Sequence, residues 1–260
     1  MATIHTESQE AEKQAFLSAF ARSRGYVHPF HHVLAEYDLP VLKLIDAVGL
    51  AMYVEQRNLS ARTKEILVVA GFVALNAQTP LVQSHISKAF RLGVTLEEMV
   101  DVMLVVGWQA GQAAFLRAMS ALRGVQPRNG DVLPAFSGRA IPSAAIQNGH
   151  FPMAYPDLDD LIDPNTRAAL DALRHSVYDA PRALDARTKA LLSAVILTVL
   201  KAPTSQISDE VRRAIDGGYE PREILEGLEL LISPAGHSCF QHGLMAWAEA
   251  IGAGNEEASS

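Results

Sequence analysis

Glu65 and His85 are the residues of this sequence best suited to exchange protons with a small substrate. An unperturbed histidine has a pKa of about 6.5, so His85 could donate a proton close to neutral pH. Glu65 lies about twenty residues earlier and could orient the imidazole, hold its charged form or shuttle a proton. Simpler interpretations stay open for both residues. His85 could be a hydrogen-bonded or surface histidine at a helix start, and Glu65 could be a first-turn acid stabilised by the helix dipole.

A second set of polar residues, near the C-terminus, could bind a metal ion or line a pocket. His237 and Cys239 are two positions apart, and on a helix their side chains diverge by about 200°. Histidine and cysteine ligands must instead converge on a metal. We therefore predict no metal site, and we expect both residues to line a substrate pocket.

Two further pocket candidates lie beside an Ala-Gly turn in the first half of the chain. Trp108 precedes the turn and Gln112 follows Gly111 directly. An indole and an amide at such a position could contact a small substrate, so we include both among the predicted substrate-binding residues.

An internal repeat organises the chain. The segment LSARTKE at 59–65 recurs 125 residues later as LDARTKA at 184–190, and many matches between 38–119 and 163–244 keep this offset without a gap. A single offset sustained over this length indicates a tandem duplication.

Polar residues present in only one copy are the better candidates for chemistry. Glu65 and His85 are replaced in the second copy by Ala190 and Glu210. In the same way, Gln112 and Ala114 are replaced by His237 and Cys239. We expect one working site, in the first copy, with the second copy acting as a structural or lid-like element. Sequence drift at solvent-exposed positions would produce the same differences between the two copies.

Polar residues kept in both copies indicate a role in the shared fold. They are Arg62 and Arg187, Thr63 and Thr188, and Lys64 and Lys189. All of them lie at a predicted helix start, where side chains cap the helix or form ion pairs.

The elements that carry these residues are predicted to be helices, five in each copy. Ser60 and Asp185 suit the N-cap position, and Thr95 with Glu98 forms a capping-box pattern. The predicted helices of the first copy cover roughly 39–56, 60–76, 80–92, 96–107 and 109–122, and those of the second copy follow 125 residues later. The predicted fold class is therefore all-α.

The remaining segments complete the predicted organisation. It comprises an N-terminal helical extension at 1–37, the first repeat at 38–122, a Gly- and Pro-rich linker at 123–160, the second repeat at 161–251 and a disordered tail at 252–260. Clustered glycines and prolines are typical of loops.

The order of these motifs resembles the carboxymuconolactone decarboxylase family, which shares its fold with the alkylhydroperoxidase D proteins. The resemblance is carried by LSARTKEILVVAGFVAL at 59–75 and by SHISKAFRLGVTLEEMVDVMLVVGWQAG at 84–111. It implies that each repeat is an alkylhydroperoxidase D-like helical unit, and that Glu65 and His85 are the catalytic residues.

The chain departs from the peroxidase branch of this fold. That branch carries a Cys-x-x-Cys motif ahead of the histidine, whereas this chain has Gln78 and Leu81 there. Thiol-dependent peroxide reduction needs a reactive thiolate and a resolving cysteine. Such chemistry is therefore excluded at this position.

The resemblance implies a cofactor-free decarboxylase of a small carboxylated lactone or a related activated acid. The conjugated carbonyl of such a substrate accepts the electron pair that decarboxylation releases, so no cofactor is expected. His85 would supply the proton. Two alternatives stay open: another proton-transfer or hydrolytic enzyme, and a catalytically silent oligomeric binding module.

Composition limits the partners. The net charge of −7 argues against a general nucleic-acid binder, which would carry a basic surface. Apolar runs end near ten residues, too short to span a bilayer, and the N-terminus shows no signal-peptide pattern. We expect a cytoplasmic protein that acts on a small-molecule carboxylate, and the resemblance implies a homo-oligomer, with a homotrimer favoured.

Overall fold

The computed structural model describes residues 7–24, 26–125 and 163–253, and all of its regular structure is helical. The predicted all-α fold class is confirmed. The helices before residue 126 are α1 (Glu7–Arg24), α2 (Pro29–Tyr37), α3 (Leu39–Tyr53), α4 (Ala61–Ala74), α5 (Thr79–Arg91), α6 (Leu96–Ala110) and α7 (Gln112–Gly124). Those after residue 162 are α8 (Pro164–Tyr178), α9 (Ala186–Val199), α10 (Thr204–Asp216), α11 (Pro221–Glu229), α12 (Ile232–Ala235) and α13 (His237–Ala250).

The helix starts follow from local capping chemistry. Ser60 and Asp185 accept hydrogen bonds from the backbone N–H groups of Thr63 and Thr188, as predicted for N-caps. The capping box of Thr95 is also present at the start of α6. These bonds satisfy donors that the first helical turn cannot pair internally.

Most helix boundaries shift by one to three residues from the prediction; the first predicted helix, for example, ends at Tyr53 rather than at residue 56. Two of the differences have a clear local cause. The fourth helix of the first half continues to Ala110 and stops at Gly111, whose φ of 86° is accessible to glycine without strain. The corresponding helix of the second half ends at Glu229, and the short α12 follows it. Pro234 lies in α12 and has no N–H to donate, so a continuous helix loses a hydrogen bond there.

The described residues divide into two units, the first ending at Glu55 and the second beginning at Gln56. In the first unit, α2 packs against α1 and α3 around a small buried cluster of Leu17, Ala35 and Leu42. An ion pair between Lys13 and Glu36 (2.6 Å) supports this packing.

The second unit is built around α4 and α9, which pack directly against each other. Both helices are buried along most of their length, which is why their sequences are apolar on nearly every face. Helix α4 also packs against α5, α6 and α7, while α9 packs against α6, α10, α11 and α13. A helix buried on all sides gives a fixed platform for the polar side chains that it carries.

Backbone features recur at the 125-residue offset of the sequence repeat. Asn76 and Lys201 adopt φ values of 57° and 54° after α4 and α9. Gly111 and Gly236 adopt φ values of 86° and 85° before α7 and α13. These pairs support the duplication, which stays our interpretation of the sequence.

The predicted linker falls outside the described residues from 126 to 160, and the predicted tail does so from 254 onward. The proposed repeat boundary at residue 38 likewise stays a prediction. No helix in the described part of the chain has the length and apolar character needed to cross a membrane.

Candidate active site

The site begins with Glu65, in the second turn of α4. Its carboxylate is almost fully buried, with 1% of the residue exposed, because α4 is covered by neighbouring helices. A carboxylate buried to this degree needs charged or hydrogen-bonding partners. Those partners come from α5.

His85 and Lys88 are three positions apart on α5, so both side chains lie on the same face of that helix. Nδ1 of His85 forms a hydrogen bond with Oε1 of Glu65, and His85 is itself only 4% exposed. Nζ of Lys88 lies 2.6 Å from the other carboxylate oxygen, Oε2, and its side chain is 22% exposed. The carboxylate therefore joins an imidazole and an ammonium group.

Phe72 completes the surroundings of the imidazole. Its ring centroid lies 4.9 Å from that of His85, with the two planes inclined at 33°. The histidine ring is thus held by a hydrogen bond at one nitrogen and by an aromatic face. Together these contacts restrict its orientation.

Electrostatics keep Glu65 ionised. Burial alone would raise its pKa, but the hydrogen bonds and electrostatic effects of His85 and Lys88 outweigh burial and hold the pKa of Glu65 below its ordinary value. An ionised Glu65 accepts a hydrogen bond from the N–H at Nδ1 of His85, and this bond fixes the ring in one orientation.

The equivalent positions in the second half carry different chemistry. Ala190 replaces Glu65 on α9, and Glu210 and Arg213 replace His85 and Lys88 on α10. Nη1 of Arg213 lies 2.8 Å from Oε1 of Glu210. Burial raises the pKa of Glu210, and the charges of Arg213 and Arg174 offset only part of this effect.

The predicted pocket residues lie as follows. Trp108 is half-buried near the end of α6, and Gln112 is exposed at the first position of α7. His237 is exposed at the first position of α13, with its ring 6.2 Å from that of Phe240. The role of these residues in substrate binding stays a prediction.

Cys239 is buried within the second half. Its Sγ donates to the carbonyl oxygen of Thr198 at 3.5 Å, at the end of α9. Burial raises the pKa of the Cys239 thiol, so the thiolate form is disfavoured. The contacts of Cys239 therefore favour packing, although a pocket-lining role stays a prediction.

Lys88 was missed by sequence reasoning. The available signal was its spacing, because a residue three positions after His85 on a helix shares the face of that histidine. No group of three or more His, Cys, Asp or Glu side chains arranged to hold a metal ion is found among the residues that the structure describes.

These features define a class: an all-helical unit of the alkylhydroperoxidase D-like type, with a buried glutamate–histidine pair and without the two cysteines of the peroxidases. Comparison with known families is consistent with this class. Residues 40–124, which include Glu65, His85 and Lys88, match the model of the carboxymuconolactone decarboxylase family. No curated protein matches the chain.

Proposed function

We propose that this protein is a cofactor-free decarboxylase of a small carboxylated lactone or a related activated carboxylic acid. The observation that carries the proposal is the buried hydrogen bond between His85 and Glu65. It lies inside the segment that matches the decarboxylase family. The chemistry requires a positioned proton donor and a sheltered site, and this pair supplies the first.

The proposed reaction breaks the bond between the carboxylate carbon and the adjacent substrate carbon. Carbon dioxide leaves, and the electron pair of that bond is delocalised onto the conjugated carbonyl, whose oxygen becomes negative. His85 then donates a proton to the carbanionic carbon from Nε2, since Glu65 holds Nδ1. Solvent returns a proton to the imidazole and completes the cycle.

Lys88 contributes positive charge beside this pair. A cation bound to the departing carboxylate would stabilise the ground state and slow decarboxylation. We therefore place its ammonium group near the oxygen that becomes negative, or near a second carboxylate that stays on the product. Either position favours an anionic substrate.

Release of carbon dioxide from a panel of carboxylated lactones and β-keto acids tests the proposal, with mass detection of the gas. We expect turnover of at least one compound, and loss of that turnover in His85→Ala. Consumption of a compound without carbon dioxide release would replace decarboxylation with another proton-transfer or hydrolytic reaction. Tight binding without turnover would favour a catalytically silent module.

We further propose that the chain assembles into a homotrimer and works in the cytoplasm. Three copies of a two-repeat chain would contain six helical units. Light scattering tests the assembly, and a strict monomer at micromolar concentration would contradict it.

A further inference from the structure

Helix α4 connects the candidate site to the second half of the chain through two consecutive residues. Side chains one position apart on a helix point about 100° apart. Glu65 faces α5 and holds His85, whereas the preceding Lys64 forms a buried ion pair with Glu226 on α11. Both members of this ion pair are about 1% exposed.

Glu226 also holds the backbone that leads into α4. Its Oε2 accepts hydrogen bonds from the N–H groups of Asn58 (2.7 Å) and Leu59 (3.0 Å). Burial by itself would raise the pKa of Glu226, but the bonds from Lys64 and from these two amides lower it, so the carboxylate is ionised. One side chain of the second half thereby fixes the start of α4.

Asp101 on α6 makes the reciprocal contacts. It accepts hydrogen bonds from Nε of Arg182 (2.5 Å) and from the N–H of Leu184 (2.9 Å), just before α9. Lys189, the equivalent of Lys64, is also buried, and its Nζ donates to the carbonyl oxygen of Tyr178 (3.4 Å). Burial lowers the pKa of Lys189, and the charge of Asp101 opposes this effect. The carboxylate of each half thus holds the helix start of the other half.

Contacts of this reciprocal kind are typical of two-fold symmetric pairs, in which residue i contacts j and residue j contacts i. Here both partners lie in one chain, and the contacts differ in one respect. The helix held by Glu226 carries Glu65, whereas the helix held by Asp101 carries Ala190 at that position.

We propose that Glu226 is a positioning residue for the Glu65–His85 pair, supplied by the half of the chain that lacks such a pair. Through Lys64 and the amides before α4, it sets the position from which Glu65 reaches His85. The second half thereby acts on the first site without touching the substrate. This inference rests on the proposed function only where activity is the readout.

The test compares Glu226→Gln with Asp101→Asn in the full chain. These substitutions remove equivalent charges on the two sides, so both should destabilise the fold. The specific readout is the ¹⁵N chemical shift of Nδ1 of His85, which reports its hydrogen bond with Glu65 and requires no substrate. We expect the resonance to move in Glu226→Gln, to stay in place in Asp101→Asn, and to move less in Glu226→Asp.

Activity gives a second readout. A misplacement on the order of 1 Å can lower a rate about 10²-fold, so Glu226→Gln should lower kcat far more than Asp101→Asn does. An unmoved Nδ1 resonance in Glu226→Gln, or an equal movement in Asp101→Asn, overturns the proposal. A moved resonance without decarboxylation of any compound would preserve the positioning role and refute the proposed function instead.

A second pair of variants covers the case in which Glu226→Gln does not fold. Lys64→Met leaves Glu226 bonded to the amides of Asn58 and Leu59, and Lys189→Met is its control in the other half. We expect the Nδ1 resonance of His85 to move in Lys64→Met alone. Movement in neither variant, or in both equally, overturns the proposal.

Discussion

The two halves of this chain place different chemistry at equivalent positions of helices that pack alike. In the first half, Glu65 on α4 holds His85 and Lys88 on α5. In the second half, Glu210 and Arg213 both lie on α10 and pair with each other. A cation is kept at the same helical position in both, but only the first half has a carboxylate on one helix that orients an imidazole on the other.

This difference shows how environment determines protonation at related sites. The partners of Glu65 lower its pKa despite burial, whereas burial raises the pKa of Glu210 despite its neighbouring arginines. The helical scaffold is compatible with a buried carboxyl group whose pKa is lowered and with one whose pKa is raised. A few side chains decide which half can hold an oriented proton donor.

Loss of the Glu65 carboxylate should have the largest effect on activity. We expect Glu65→Gln to lower kcat by about 10²–10⁴-fold, because the imidazole loses the group that orients it. Glu210→Gln is the matched control in the second half and should keep turnover near the wild-type rate. Carbon dioxide release measures both, and an equal loss in the two variants would show that the halves do not differ as described.

The reciprocal carboxylates should have the largest effects on stability. Removal of one partner from a buried ion pair costs about 3–5 kcal/mol, so Glu226→Gln and Asp101→Asn should each lower the free energy of unfolding by about that amount. The exposed Glu97→Gln is the control and should change stability by less than about 0.5 kcal/mol. Urea unfolding measures all three variants. A loss of stability in only one of Glu226→Gln and Asp101→Asn would show that the two sets of contacts are not equivalent.

Replacement of Lys88 should separate the two positions proposed for its ammonium group. If its ammonium binds a carboxylate that stays on the product, Lys88→Met should raise KM about tenfold, as expected for loss of one charged hydrogen bond. Arg91→Met removes an exposed charge from the end of the same helix and should leave KM unchanged. Steady-state kinetics measure both variants. A lowered kcat with an unchanged KM in Lys88→Met would favour the position near the oxygen that becomes negative, and no change in either constant would remove this lysine from the site.

The smallest expected effect is an opposite dependence of stability on pH. Because the folded-state pKa of Glu65 is lowered, its ionised form stabilises the fold above the ordinary glutamate pKa of about 4.3, and this stabilisation is lost as pH falls further. Because the pKa of Glu210 is raised, its ionisation destabilises the fold as pH rises above that ordinary value.

Unfolding free energies of Glu65→Gln and Glu210→Gln between pH 3 and 7 measure this contrast. The cost of Glu65→Gln relative to wild type should shrink toward acid pH. Glu210→Gln should gain stability relative to wild type toward neutral pH. If the stability difference from wild type changed with pH in the same direction in both variants, the opposite pKa directions of Glu65 and Glu210 would be contradicted.

Features set by local chemistry could be predicted from the sequence. The all-α fold and the caps at Ser60 and Asp185 depend on residues within one helical turn, so their signals lie in short segments. The sequence predicted the helix ends near Gly111 and Pro234 a few residues away from their positions in the structure. Helix boundaries depend on the competition between local caps and packing, and packing is not visible in a short segment.

Prediction of the site was partial for a physical reason. Glu65 and His85 were found through family resemblance and through their absence from the second copy. Glu226 was not found, because its bond to the amide of Asn58 joins residues 168 positions apart and only packing brings them together. Lys88 could have been inferred from helical spacing, but its contact with Glu65 depends on how α4 and α5 meet.

The hydrogen bond between Glu65 and His85 can be observed directly by ¹⁵N NMR of the histidine side chains, with His85→Ala used to assign the resonance. We expect a protonated, hydrogen-bonded Nδ1 in the wild-type chain. We also expect loss of that signature in Glu65→Gln and its retention in Glu210→Gln. An Nδ1 resonance that is the same in Glu65→Gln as in wild type would contradict a hydrogen bond between Glu65 and His85.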